Sequence, residues 1–439
     1  MKFKQKIIFT LLIAVGIFIG WVHPVMADDD STTSTFSINA KAAIAVDAQS
    51  GKIFYSQDAK TPLPIASISK IISILVVEDQ LKAGKLSLQD TVTISPEIAA
   101  ISVHPDLSNV ALTAGQSYTV EELIHASLIQ SANAAIMALA EKVAGSQDKF
   151  VDMMKETLIK LGIKDAKIVN VSGLNNSYLG DMIYPGSSAE DENELSAQDV
   201  AIVARHLINT YPEVLQISQI TQETFGANTA TPTIMTNWNR MLPGFSDEKS
   251  GVDGLKTGTT DLAGACFVGT ITKDNRRVIT VVLHANDHPN NSSARFIETS
   301  KLMDYALEQW QYVEVLPKNQ ALPNLKQINV IDGKEQKVPV ANQEPITLWV
   351  QNGTDLKNIQ YSYQLSGKAI SDQQLIAPAA SGTIVGQIIP KNPTDPYGYL
   401  TKDLEKATYG KIITTQKVEK ANFLVIFGRK VKAFFTNLF

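Results

Sequence analysis

A chain of 439 residues exceeds what one hydrophobic core usually serves, so two domains with terminal segments are expected. A formal charge of −5 leaves no overall basic surface and argues against a nucleic-acid partner. The single cysteine, Cys266, rules out an internal disulfide, so packing must hold the fold; within its apolar stretch it reads as a small buried hydrophobe.

Lys2, Lys4 and Lys6 precede an apolar run over 7–22, and Val25-Met26-Ala27 closes on small-residue cleavage chemistry, so 1–27 reads as a signal peptide. The alternative is an uncleaved anchor, for which the run is somewhat short. Either reading places the rest of the chain outside the cytoplasm. Residues 28–40, rich in Asp, Ser and Thr, read as a flexible leader. Short apolar strands at 42–47 and 52–55 flank Gln49-Ser50-Gly51 as a hairpin.

Ser67-Ile68-Ser69-Lys70 then opens an apolar run over 71–77 that reads as a helix ending near Ala83-Gly84. Residues three apart share a helical face, so the Ser67 hydroxyl and the Lys70 amine point into one space. Lysine can serve as the base for that hydroxyl only if burial or a neighbouring cation lowers its pKa.

Thr119-Val120-Glu121-Glu122 has capping-box form and starts a helical region running to about Gly145 through Ser131-Ala132-Asn133. Taken alone, Ser131 and Asn133 read as an exposed polar spot on that helix. Helical spacing recurs over 149–161 and 196–208, with a loop at 173–194 whose run Glu190-Asp191-Glu192 reads as solvated surface. After the glycine-rich stretch 251–258, which holds Lys256-Thr257-Gly258 and is followed by Thr259, β-rich stretches at 265–272 and 277–283 predict an antiparallel hairpin. Strands, helices and strands in that order predict one sheet that joins both ends of the domain, with helices on its faces.

Beyond a helix-like stretch at 295–310, residues 315–415 carry short strand candidates between Asp332-Gly333, Asn352-Gly353, Ser366-Gly367 and Ser381-Gly382. That pattern is a second, all-β domain. In the last 23 residues Phe423, Phe427, Val431, Phe434, Phe435 and Leu438 share a helical face beside Arg429, Lys430 and Lys432. Such a face suits the plane of a membrane surface, while its charges prevent it from spanning; a core-docking terminal helix is the alternative.

Three signals combine: Ser67-x-x-Lys70, Ser131-x-Asn133 and Lys256-Thr257-Gly258, in that order. With Pro64-Ile65-Ala66, Asn170-Val171-Ser172-Gly173-Leu174, Asn193-Glu194-Leu195-Ser196-Ala197 and Val252-Asp253-Gly254-Leu255, the chain resembles the low-molecular-mass penicillin-binding proteins, the serine-type D-alanyl-D-alanine carboxypeptidases. The resemblance covers nearly the whole chain. It implies an α+β fold, a β-lactamase-like domain of antiparallel sheet and flanking helices over 41–312. A β-rich domain over 313–415 and an amphipathic membrane-anchoring helix over 416–439 follow.

The resemblance further implies that Ser67 attacks the carbonyl between two terminal D-alanines of a peptidoglycan stem peptide, with Lys70 taking its proton. Ser131 would relay a proton to the leaving amine, Asn133 would hold Lys70 or the substrate amide, and Lys256 would keep Lys70 neutral. Lys256, Thr257, Gly258 and Thr259 would bind the peptide, and the backbone N–H groups of Ser67 and Thr259 would receive the oxyanion. Penicillin would form a long-lived adduct on Ser67, and no cofactor or metal is implied. One departure concerns the substrate carboxylate: where relatives often place an arginine, this chain has His284-Ala285-Asn286-Asp287-His288, with Arg295 later, so the carboxylate partner is unassigned.

Competing readings are a β-lactamase or transpeptidase on the same fold and a non-catalytic wall-binding scaffold. His284 and His288 are weak metal candidates because they follow a strand, and no G-x-S-x-G elbow supports a Ser-His-Asp triad.

Overall fold

The computed structural model describes residues 36–436 except 228, 230 and 231. The signal peptide and most of the leader lie outside the described residues. The leader's end already belongs to the fold, since Ile38 is buried and β1 (Ala40–Asp47) follows at once.

β1 and β2 (Ile53–Gln57) form the expected antiparallel hairpin. From the other end of the domain come β3 (Val252–Thr260), β4 (Gly264–Lys273) and β5 (Arg276–Ala285). Asp274 and Asn275, both at positive φ, make the tight turn between β4 and β5. β1 pairs with β5 from Ala40 opposite Ala285 to Asp47 opposite Val278, giving one sheet in the order β2-β1-β5-β4-β3. Alternation along β1 sends Ala42, Ile44 and Val46 into one core and Ala43 and Ala45 into another. Such a strand is buried on both faces, which explains its nearly unbroken apolar sequence. Among the described residues β3 pairs with no strand other than β4, so its outer edge carries no further strand.

The central helix, α1 (Lys70–Lys82), is apolar around its whole circumference, and every residue from Lys70 to Glu78 is buried. A helix of that kind belongs inside a domain. Around it pack α2 (Val120–Leu128), α3 (Asn133–Ala144), α4 (Gln147–Lys160) and α5 (Ala197–Thr210), and α6 (Glu213–Ser218) lies against β3. α7 (Ala294–Glu308) covers the opposite face of the sheet.

Two expectations are corrected here. Ser67 precedes the α-helix, in a 3-10 turn over Ala66–Ser69. The continuous helix expected from 119 to 145 is broken between α2 and α3, where Ser131 adopts a φ of +58°. The capping box does start α2: Thr119 Oγ1 accepts from Glu122 N at 3.1 Å, and Glu122 Oε2 accepts from Thr119 N at 2.8 Å. Alanine-rich propensity is overridden beyond it because Ser131 and Asn133 find buried polar partners that a straight helix would deny them.

The second domain is all-β apart from short helical turns. β6 (Trp310–Leu316) pairs with β7 (Ile346–Gln351), and seven further strands form their own sheet over a separate core. A segment of this domain returns to the first. Lys52 Nζ donates to Asp395 at 2.8 Å and to the Gly398 carbonyl at 3.0 Å, and it stands 4.5 Å from the Trp310 ring centre. Nothing in the composition signals this junction.

α8 (Phe423–Thr436) ends the described chain. It is tied back through Arg429 Nη1, which donates to the Gly333 carbonyl at 2.6 Å. Phe423, Phe427, Phe434 and Phe435 are all more than half exposed, so the apolar face does not dock on the core.

Candidate active site

The 3-10 turn holds Ser67 at the mouth of α1, and Lys70, one turn on, reaches back to it. Lys70 Nζ lies 2.8 Å from Ser67 Oγ, 2.7 Å from Asn133 Oδ1 and 3.0 Å from the Ser172 carbonyl. Asn133 is itself fixed at the start of α3: its backbone N–H and Nδ2 both donate to the Ser108 carbonyl at 3.0 Å. On the far side, Lys256 Nζ donates to Ser131 Oγ at 2.8 Å. The structure thus gathers Ser67, Lys70, Ser131, Asn133 and Lys256 from three separate stretches of chain.

Burial holds Lys70, with no exposed surface, well below the usual lysine range, and the nearby Lys256 lowers it further. Lys256 is pushed down to about 7 by burial and then by Arg295. A neutral amine has two N–H donors and one lone pair. Asn133 Oδ1 and the Ser172 carbonyl take the two donors, leaving the lone pair to face the Ser67 hydroxyl. That is the arrangement a general base requires.

β3 brings Lys256, Thr257, Gly258 and Thr259 alongside the Ser67 turn. Glycine is required at 258 by proximity: a Cβ there would lie 2.6 Å from the Ile65 carbonyl and 3.2 Å from Ile68 N. Gly258→Ala should therefore push β3 away from the turn and cut by about 10²-fold the D-alanine release that the resemblance implies, read in a steady-state assay on a D-Ala-D-Ala peptide.

Several neighbours escaped the sequence. Ser108 and Ser172 contribute through backbone carbonyls, which leave no mark in side-chain identity. Arg295, left unassigned, is buried behind β3, where it donates to the Gly258 carbonyl at 2.8 Å and to Thr259 Oγ1 at 2.7 Å. Glu192, expected in solvent, is buried and accepts from Thr260 Oγ1 at 2.7 Å. Asp191 from the same acidic run pairs with Lys167. Cys266 is fully buried, its thiol pushed up to about 11 by burial. His284, next to last in β5, has a φ of +55°, with its ring against Gly264. Among the described residues no group of three or more His, Cys, Asp or Glu side chains is gathered that could hold a metal ion.

Serine beside a buried lysine on this sheet, followed by a β-rich domain, defines the low-molecular-mass penicillin-binding proteins. Comparison with known proteins agrees. The D-alanyl-D-alanine carboxypeptidase family, peptidase S11, matches residues 29–287, and the C-terminal domain of penicillin-binding protein 5 matches 310–420. The chain is 31% identical over 380 residues to D-alanyl-D-alanine carboxypeptidase DacC of Escherichia coli, covering 86% of each. It is similar to the crystal structure of a peptidoglycan synthesis regulatory factor (PBP3) from Streptococcus pneumoniae, at 41% identity and a TM-score of 0.69, over 87% of this chain and 100% of that one. Penicillin-binding protein D2 from Listeria monocytogenes, in its ampicillin-bound form, is similar at 28% identity and a TM-score of 0.51, over 62% of this chain and 100% of that one. The chain belongs to the D-alanyl-D-alanine carboxypeptidase family and is a serine-type hydrolase.

Proposed function

We propose that this carboxypeptidase removes the terminal D-alanine from peptidoglycan stem pentapeptides through an acyl-enzyme on Ser67. The observation that carries the reading is the Lys70 amine, buried, held by Asn133 and the Ser172 carbonyl, and 2.8 Å from Ser67 Oγ. The peptide lies along the outer edge of β3 as an added strand, with Thr257 and its neighbours as partners. Arg295, behind Thr259, supplies positive charge on the side where the substrate carboxylate ends.

Ser67 Oγ attacks the carbonyl between the D-alanines as Lys70 accepts its proton, and the oxyanion is held by the N–H groups of Ser67 and Thr259. Ser131, bonded to Lys256, relays a proton to the departing amine, and D-alanine leaves. Water then hydrolyses the ester. Among the described residues neither Ser67 nor Lys70 is hydrogen-bonded to a carboxylate, which favours slow release of a β-lactam adduct over lactamase turnover.

Brief exposure to penicillin should add the drug's mass, stoichiometrically, to the tryptic peptide carrying Ser67. An adduct on another peptide, or none at all, would defeat the acyl-enzyme mechanism. The ampicillin-bound form of the Listeria protein supports the expectation.

The chain acts outside the cytoplasm, released by its signal peptide and held to the membrane surface by α8. The exposed phenylalanines of α8 would enter the acyl boundary and its cations would meet anionic headgroups. Deleting residues 417–439 should shift signal-cleaved protein from the membrane fraction to the soluble one; unchanged retention would refute the anchor.

A further inference from the structure

Away from the reacting groups, a cleft of roughly 1010 Å3 opens between the C-terminal half of α1, α2 and α6. Its size is at the upper end of small-ligand sites. In its wall stands Glu78, two turns and about 12 Å along α1 from Lys70. The residue is only 6% exposed, what remains accessible includes its carboxylate, and no hydrogen bond or ion pair engages it among the described residues.

The neighbouring acids are differently placed. Asp79 accepts from Tyr211 Oη at 2.5 Å, and Glu223 is paired with His125 at 2.9 Å. Lys82, one turn beyond Glu78 and its natural partner, instead stands 5.3 Å over the Tyr211 ring. A buried carboxyl left in this state is costly to ionise, and burial raises its pKa to about 7, with Glu213 and Asp79 adding to the effect. A cation brought into the cleft would relieve that cost. The surroundings say which kind: Leu81, Ile124, Ile217 and Ile220 provide aliphatic walls, and Glu121 and Glu213 stand at the cleft with negative charge, against the one lysine of the lining, Lys82, and His125, which is taken up by Glu223. Among the described residues these carboxylates do not gather into a group that could hold a metal ion, whereas Glu78 among aliphatic side chains is a good match for an ammonium on a methylene chain.

We propose that this cleft binds a primary alkylammonium group, with Glu78 as the counter-ion and the aliphatic walls around the methylenes. Two sources carry that group: a stem peptide whose third residue keeps a free side-chain amine, and a free polyamine. The site stands independently of the chemistry assigned to Ser67.

The test is calorimetric titration of the full chain with cadaverine, with the tripeptide L-Ala-γ-D-Glu-L-Lys, and with the same tripeptide acetylated at Nε. The tripeptide lacks D-alanine and gives Ser67 nothing to cleave. Binding of at least one free amine is expected, with Nε-acetylation weakening the tripeptide by about tenfold or more. Preference for the tripeptide assigns the site to wall peptides; binding of cadaverine alone assigns it to polyamines. Glu78→Gln should weaken the bound amine by a similar factor while D-alanine release is retained. No heat from either free amine overturns the proposal. So does tripeptide binding that is indifferent to acetylation, or amine binding that is equal in folded Glu78→Gln. If that variant does not fold, cadaverine against 1-pentanol and the tripeptide against its acetylated form decide on the native chain, where equal binding within each pair overturns the proposal.

Discussion

Ser67→Ala is expected to reduce D-alanine release by roughly 10⁴- to 10⁶-fold and to abolish the covalent penicillin adduct, while the folded protein is retained. The expectation rests on position. Ser67 is the hydroxyl toward which the Lys70 amine is directed, and the second serine of the site, Ser131, is bonded to Lys256 instead. Removing one oxygen from the half-buried Ser67 of the 3-10 turn creates little cavity, so the thermal midpoint should barely change. Release that persisted at the native rate would mean that another nucleophile does the work. A non-catalytic scaffold predicts no release from either protein, so the same pair of assays separates that reading from the enzyme.

Lys256→Gln is expected to lower kcat/KM by about 10²- to 10³-fold and to move its acidic limb to higher pH. Lys70 must be neutral to accept a proton. Burial is the main cause that lowers its pKa, and the charge on Lys256 is the second. Deleting that charge raises the Lys70 pKa, so a higher pH is needed to empty the amine of its proton. Burial remains, so the limb does not return to the ordinary lysine range. Lys256 itself, lowered to about 7, loses its proton on the alkaline side in the native enzyme. The native profile should therefore be bell-shaped, and the variant should lose the alkaline limb. A profile of kcat/KM between about pH 5 and 10 reads both changes. An acidic limb that stayed in place would show that Lys256 does not act on Lys70 through charge.

The remaining parts of the site differ in how far the chain discloses them. The pairing of Ser67 with Lys70 is local, three residues apart, and helical geometry alone brings the two together. The sheet joining both ends of the first domain is legible too, because β-rich stretches at each end with helices between have few other ways to bury their faces. The two-domain division follows from the change of period and the turn signals after residue 315. Misreadings cluster where tertiary contact overrides a local rule. The alanine-rich run from 119 to 145 is helix by propensity, yet it breaks at Ser131 so that the hydroxyl can meet Lys256. Glu192 belongs to a run that composition places in solvent, yet Thr260 holds it inside.

What the sequence determined by itself is therefore which side chains are candidates for the site, the class of fold and the family, since side-chain type and short-range spacing are written directly in the order of residues. Only the tertiary structure decided how those side chains act: which acceptors take the two Lys70 protons, how closely β3 approaches the Ser67 turn, where Arg295 lies and how the second domain returns to Lys52. Those outcomes depend on backbone carbonyls, burial and contacts between residues far apart in the chain. A carbonyl is common to every residue, and burial belongs to the packed whole, so neither can be spelled out one residue at a time.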